Sequence, residues 1–152
     1  MTDPSNGYES VAAAFLAGRG RAPSTAIGAR EVREWARTLP RGAAVIDVGC
    51  GSGLPLTKIL VSEGLNVYAI DAAPSLVEAF RHNLPETPVA CESVEDSSFF
   101  NRMFDGILAW GSCFCSCQKR NGRLSEEWPT YWCLVAACCS PRQLNQWYGM
   151  TQ

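Results

Sequence analysis

A buried β-strand that runs through three alternating glycines directly into a helix is compatible with few architectures. Residues 45–55 spell that transition: Val45-Ile46-Asp47-Val48-Gly49-Cys50-Gly51-Ser52-Gly53-Leu54-Pro55. Glycines in such a turn adopt positive φ without penalty and let a ligand press against bare backbone. The helix that follows offers N–H groups with no intrahelical partner. Two familiar phosphate-binding loops do not fit. A dinucleotide loop needs G-x-G-x-x-G, but its third glycine position is Leu54 counted from Gly49 and Leu56 counted from Gly51. A Walker loop needs Gly-Lys-Ser/Thr, which is absent.

The pattern around this loop alternates between strand and helix. Val32, Trp35, Ala36 and Leu39 share one helical face, on a helix that should end before Pro40. Ala43 to Val48 is an apolar, β-branched run of the kind buried on both faces of a parallel sheet. Leu56, Ile59 and Leu60 mark a helix stopped at Gly64. Asn66 to Ile70 reads as a second strand, and Pro74 as a first-turn proline for a helix over Ser75–Arg81. Thr87–Cys91 is a third strand and Phe104–Trp110 a fourth. Strands alternating with helices require right-handed crossovers and give an α/β, Rossmann-like, doubly wound parallel sheet. Two acids stand at strand ends. Asp47 precedes the first glycine, where a carboxylate needs partners to offset its desolvation. Asp71 ends the second strand, where an acid can accept both hydroxyls of a ribose.

Asp47-x-Gly49-x-Gly51-x-Gly53 with Asp71 resembles the S-adenosylmethionine site of the class I methyltransferases. It is most similar to the small-molecule branch that includes the ubiquinone and menaquinone biosynthesis enzymes. "VIDVGCGSGLPLTKIL" and "VYAIDAAPSLVEAF" match the first two motifs of that family, and "VEDSSFFNRMFDGILAWGS" resembles the next two. The likeness covers about residues 8–111. It implies that Gly49, Cys50, Gly51, Gly53 and Leu54 lie against the methionine part of S-adenosylmethionine; Asp47 has two readings, orienting that loop or facing a cationic group of the ligand directly or through water. It implies that Asp71, followed by Ala72, binds the ribose and that Ser93 and Val94 flank the adenine. The family often has Asp where this chain has Ser93. Ala109 falls where a backbone carbonyl meets the cofactor's ammonium, and Tyr8 where an N-terminal tyrosine closes over the site. The implied activity is methyl transfer to a small molecule, a chemistry that needs no metal. No general base is evident in the sequence. Two rivals stay open: a non-catalytic cofactor-binding remnant and a nucleotide-dependent oxidoreductase.

Composition limits the remaining possibilities. The 152 residues, 47% apolar and 18% charged, make one domain's worth of chain. A formal net charge of −2 provides no basic field for nucleic acid or anionic lipid, so neither is expected as a partner. No apolar run approaches a membrane span, and residues 1–14 lack a signal-peptide layout, so a cytoplasmic protein is expected. The sequence leaves the oligomeric state open.

The chain also divides in character near residue 112. Residues 1–112 carry nine Lys/Arg against thirteen Asp/Glu, a net −4; residues 113–152 carry four against two, a net +2. Six of the eight cysteines fall in the second stretch: Cys113, Cys115, Cys117, Cys133, Cys138 and Cys139. Their spacing is not that of a zinc knuckle, and no histidine joins them, so neither a metal site nor a disulfide framework is expected.

Shifting the reading frame explains the tail better. Entered from the last base of Cys133, the codons of Leu134 to Gln143 can spell Pro-Gly-Gly-Arg-Leu-Leu-Phe-Thr-Ser-Pro, the turn and fifth strand that the family places there. The same shift from Trp110 allows Gly-Leu-Met-Phe-Leu-Leu-Leu-Pro-Glu, and from Tyr148 it allows Trp-Asp-Asp-Ala. The expectation is therefore a cofactor-binding half over residues 1–112 and an irregular, out-of-frame tail over 113–152. The edge of the fourth strand would be left open, except where Trp132–Ala137 covers part of it.

Overall fold

The computed structural model describes residues 3–5, 7–19, 28–110 and 133–135, the last three by their backbone. In chain order the elements are α1 (Tyr8–Arg19), α2 (Ala29–Ala36), β1 (Ala44–Val48), α3 (Leu56–Ser62), β2 (Asn66–Asp71), α4 (Pro74–Asn83), β3 (Val89–Cys91), β4 (Gly106–Ala109) and β5 (Cys133–Val135). A single 3₁₀ turn, Phe99–Asn101, precedes β4. The strands form one sheet in the order β3-β2-β1-β4-β5. β1 pairs in parallel with β2 on one side, Asp47 opposite Ala69, and with β4 on the other, Asp47 opposite Leu108. The chain therefore winds outward from β1 through β2 to β3, then crosses to the far side of β1. That reversal puts the switch point at the carboxyl end of β1, where open α/β sheets bind ligands.

Local signals act largely as expected. Gly64, at φ +84°, closes the turn after α3, and Pro74 opens α4 behind the extended Ala73. α2 departs from expectation by ending at Ala36 rather than running to Leu39. Its last turn tightens because the Thr38 N–H donates to the Trp35 carbonyl at 2.9 Å, and the Thr38 hydroxyl donates to the same oxygen at 2.7 Å. A threonine that offers the backbone such a local alternative ends a helix early.

Alternate residues of the strands face two cores. Val45, Val67 and Leu108 pack with Val32, Trp35 and Ala36 of α2 and with Ile59 and Leu60 of α3. Ile46, Val48, Ile70, Ile107 and Ala109 pack on the opposite side with Phe99 and Phe104. Burial on both faces is why β1 and β4 read as continuous apolar runs. Gly106 lets α2 approach: a Cβ there would stand 2.8 Å from a ring carbon of Trp35. A third cluster joins Ala12 of α1, with Tyr8, Phe15 and Leu16, to Ala73 and Leu76 at the start of α4.

β5 lies within the Trp132–Ala137 stretch expected to cover part of the β4 edge. Residues 133–135 run antiparallel to β4, with Ala109 opposite Cys133 and Ile107 opposite Val135. The tail is therefore not wholly irregular, and the β4 edge is paired over Ile107–Ala109. The physical reason is that an apolar strand with unpaired N–H and C=O groups is a template for any extended segment within reach. Cys113, Cys115, Cys117, Cys138 and Cys139 lie outside the described residues, as does the rest of the proposed frame shift. Among the described residues no cluster of three or more His, Cys, Asp or Glu side chains could hold a metal ion. No helix among them is long and apolar enough to cross a membrane.

Candidate cofactor site

The glycine loop leaves β1 at the switch point and is pinned to β2. The N–H groups of Gly49 and Cys50 both donate to the Ile70 carbonyl, at 2.8 and 3.1 Å. Gly49, Gly51 and Gly53 have φ of +72°, +57° and +78°, the left-handed conformation that explains glycine at each alternate position. Gly53 has a second reason. A Cβ there would lie 2.8 Å from carbons of both Phe80 and Leu84, so the bare backbone is what lets α4 pack beneath the loop.

Asp71 joins the loop to the second strand. One carboxylate oxygen accepts the Gly51 N–H at 2.8 Å, and the other accepts the Ala73 N–H at 2.9 Å. Burial raises its pKa above the ordinary carboxylate value, while its bonds to the Ala73 and Gly51 amides oppose the shift. Asp71 is only partly buried, and its two oxygens together keep acceptor capacity for a further donor. Asp47 lies deeper, 3% exposed, and accepts the Thr57 hydroxyl at 2.6 Å. Burial pushes its pKa up to about 7; the Thr57 hydrogen bond pulls the other way, and the Asp71 charge adds to the rise. Burial likewise pushes the Cys50 thiol well above its ordinary value, which makes it a packing group rather than a nucleophile.

The Asp47 shift has a consequence for stability. Between pH 4 and 7 the folded chain holds a proton on Asp47 that the unfolded chain has released. Stability contributed by this group is therefore greatest at low pH, falls as pH rises through that window, and levels off above about pH 7. Asp47→Asn should remove the slope, a difference on the order of a few kcal/mol between pH 4 and 7.5. Urea unfolding of both proteins at the two pH values measures it; parallel pH profiles would show that Asp47 is ionised in the fold throughout.

The other expected residues stand where the strands end, with contacts of their own. Ala109 is buried as the last residue of β4, one residue beyond Leu108, which stands opposite Asp47. Ser93 is 8% exposed and donates its hydroxyl to Asp96 at 2.8 Å, so it presents a hydrogen-bonded Ser–Asp pair rather than a single side chain. Val94 packs against the second core, on the face shared by Ile46 and Phe99. Tyr8 begins α1 and meets Phe15 edge to face, with ring centroids 6.4 Å apart. Leu54 and Ala72 are half-buried beside the loop and beside Asp71.

Sequence reasoning missed three partners of the site. Thr57 satisfies Asp47, Asn83 donates to the Ser52 carbonyl at 3.0 Å, and Phe15 covers Gly51. The Phe15 ring comes within 3.3 Å of where a Gly51 Cβ would stand, so that glycine does not face open space. Tyr8, Ala12, Phe15 and Leu16 follow helical spacing, a signal that α1 packs on something. Nothing local says that the partner is the glycine loop.

A glycine loop at a switch point, tied to an acid at the end of the next strand, is the arrangement with which open α/β sheets hold nucleoside-containing ligands. The residues present fit S-adenosylmethionine as such a ligand. Asp71 has acceptor capacity for ribose hydroxyls, and the buried Ser52 hydroxyl has no partner in the fold, an orphaned polar atom within the loop itself. The methyltransferase-domain model matches residues 45–128, more than half of the chain, and the protein belongs to that family. An uncharacterised methyltransferase of Mycobacterium tuberculosis is 33% identical over 112 residues, 71% of this chain and 42% of its own length. A ubiquinone biosynthesis O-methyltransferase of Xanthomonas axonopodis is 46% identical over 65 residues, 40% of this chain and 27% of its own. Among solved structures, a TehB-like S-adenosylmethionine-dependent methyltransferase of Corynebacterium glutamicum superposes with a TM-score of 0.56. It shares 25% identity and covers 68% of this chain and 55% of its own. The chain thus spans less than half the length of these two curated relatives.

Proposed function

We propose that this chain binds S-adenosylmethionine at the glycine loop and Asp71, as the cofactor half of an enzyme that methylates a small molecule. The observation that supports it best is the Asp71 carboxylate bonded to Gly51 at the switch point, where one partly buried acid ties the glycine loop to the end of β2. When bound, the cofactor supplies a methyl group activated on a sulfonium, open to in-line displacement by an O, N, C or S nucleophile. In this reading the chain's own residues bind and align. Asp71, followed by Ala72, receives the ribose, with Ser93 and Val94 beside the adenine. Gly49, Cys50, Gly51, Gly53 and Leu54 lie against the methionine part, braced by Asp47, and the Ala109 carbonyl and Tyr8 complete the enclosure. Such a site accelerates displacement chiefly by positioning and by excluding water. A cytoplasmic setting goes with this reading, consistent with Cys50 and Cys91 as free thiols.

Calorimetric titration tests the assignment. Saturable binding of S-adenosylmethionine with none of NAD is expected; the reverse would favour the oxidoreductase. A methyl-transfer assay then separates an enzyme from a binding remnant.

The reading also includes residues 113–152 as an out-of-frame tail. A chain that replaces the family's fifth-strand region with this sequence should be a poor catalyst, and restoring the shifted frame should raise stability and turnover together. Sequencing the encoding DNA around Gly111 decides the frame.

A further inference from the structure

We propose that Glu9 is a positioning residue for the cofactor cleft: by capping α4 through Ser75 it holds α1 down, so that Phe15 roofs Gly51. The inference rests on the cofactor reading of the glycine loop and adds to it a part that the loop motifs do not contain.

α4 begins without a cap of its own, because Ala73 at its N-cap has no side chain that could bond the first-turn amides. The cap comes from another helix. The Glu9 carboxylate accepts the Ser75 N–H at 3.1 Å through one oxygen and the Ser75 hydroxyl through the other, across 66 residues of sequence. A carboxylate at a helix N-terminus satisfies an orphan amide and meets the positive end of the helix dipole.

The same stripe of α1 carries the contact onward. Ala12, 2% exposed, packs on Ala73 and Leu76, and one turn later Phe15 lies on Gly51. Ala73 serves both ends of this arrangement, since its N–H holds one oxygen of Asp71. The start of α4 is therefore the point where the ribose-side acid, the glycine loop and the roof helix are mutually fixed. With the Glu9 bonds removed, α1 is held by the apolar cluster of Tyr8, Ala12, Phe15 and Leu16 and should lift from Gly51 more often.

Two measurements on the full chain and on its Glu9→Ala, Ser75→Ala and Ser75→Thr variants test this. Hydrogen exchange without ligand should speed up by roughly fivefold or more over residues 8–19 in Glu9→Ala, the effect of losing one helix cap, while β1 and β2 stay unchanged. Ser75→Ala should do the same in part, and Ser75→Thr, which keeps the hydroxyl, should restore protection. Stopped-flow dissociation of S-adenosylmethionine should accelerate in the same order. Unchanged exchange over residues 8–19 in Glu9→Ala overturns the proposal. So does faster exchange with an unaltered dissociation rate, since α1 would then have no hold on the cleft. Failure of the unaltered chain to bind S-adenosylmethionine overturns the cofactor reading as well, and that result is read without any Glu9 variant.

Discussion

Asp71→Ala should lower affinity for S-adenosylmethionine by about a hundredfold to ten-thousandfold while the sheet stays folded. Two hydroxyl contacts to a carboxylate are worth about 1.5–3 kcal/mol each, and both depend on this one side chain. The structure adds a second loss. The Gly51 and Ala73 amides, held at 2.8 and 2.9 Å, lose their acceptor, so the loop is no longer tied to β2 through this side chain. Asp71→Asn is the informative companion, because it preserves shape but turns one acceptor into a donor facing an N–H group. Calorimetry measures affinity, and circular dichroism checks that the fold survives. An affinity within tenfold of the unaltered chain would remove Asp71 from the ribose site.

Gly53→Ala should be among the most destabilising single changes in the glycine loop. The added Cβ would stand 2.8 Å from Leu84 and Phe80 carbons, and Phe80 is fully buried with no room to swing aside. Overpacking of this kind costs about 1–3 kcal/mol, and an alanine held at φ +78° adds about 1–2 kcal/mol. Against a total of about 5–15 kcal/mol for an ordinary domain, that is a large fraction. Gly18→Ala is the contrasting control. Gly18 lies within α1 with nothing inside 4 Å of its missing Cβ, so alanine there should be neutral or stabilise the chain slightly. Urea midpoints of the two variants compare them directly, and equal midpoints would refute the packing account of Gly53.

Much of the candidate site was legible before any coordinates because its signals are local. Positive φ at alternate positions demands glycine whatever the tertiary context, so Gly49, Gly51 and Gly53 announce the turn. Asp71 could be read because it terminates an apolar run at a spacing that only a crossover helix explains. Leu54, at the position where a dinucleotide loop has its third glycine, argued against that loop. Ser93 was harder to read, because a serine's role depends on what stands opposite it. Its bond to Asp96 is a contact within a loop that has no regular period.

What the sequence by itself determined is the parallel α/β order, the strand–glycine–helix turn at residues 45–55 and the acids that flank it. Those follow from periodicity, backbone sterics and the cost of burying a charge, all properties of a few neighbouring residues. Only the tertiary structure decided that Thr57 answers Asp47, that β5 pairs with β4, and that Glu9 caps a helix 66 residues away. It also decided that Phe15, not solvent, lies over Gly51. A carboxylate, a hydroxyl or an aromatic ring advertises only what it can bond or cover; which partner meets that need depends on how the chain folds back on itself.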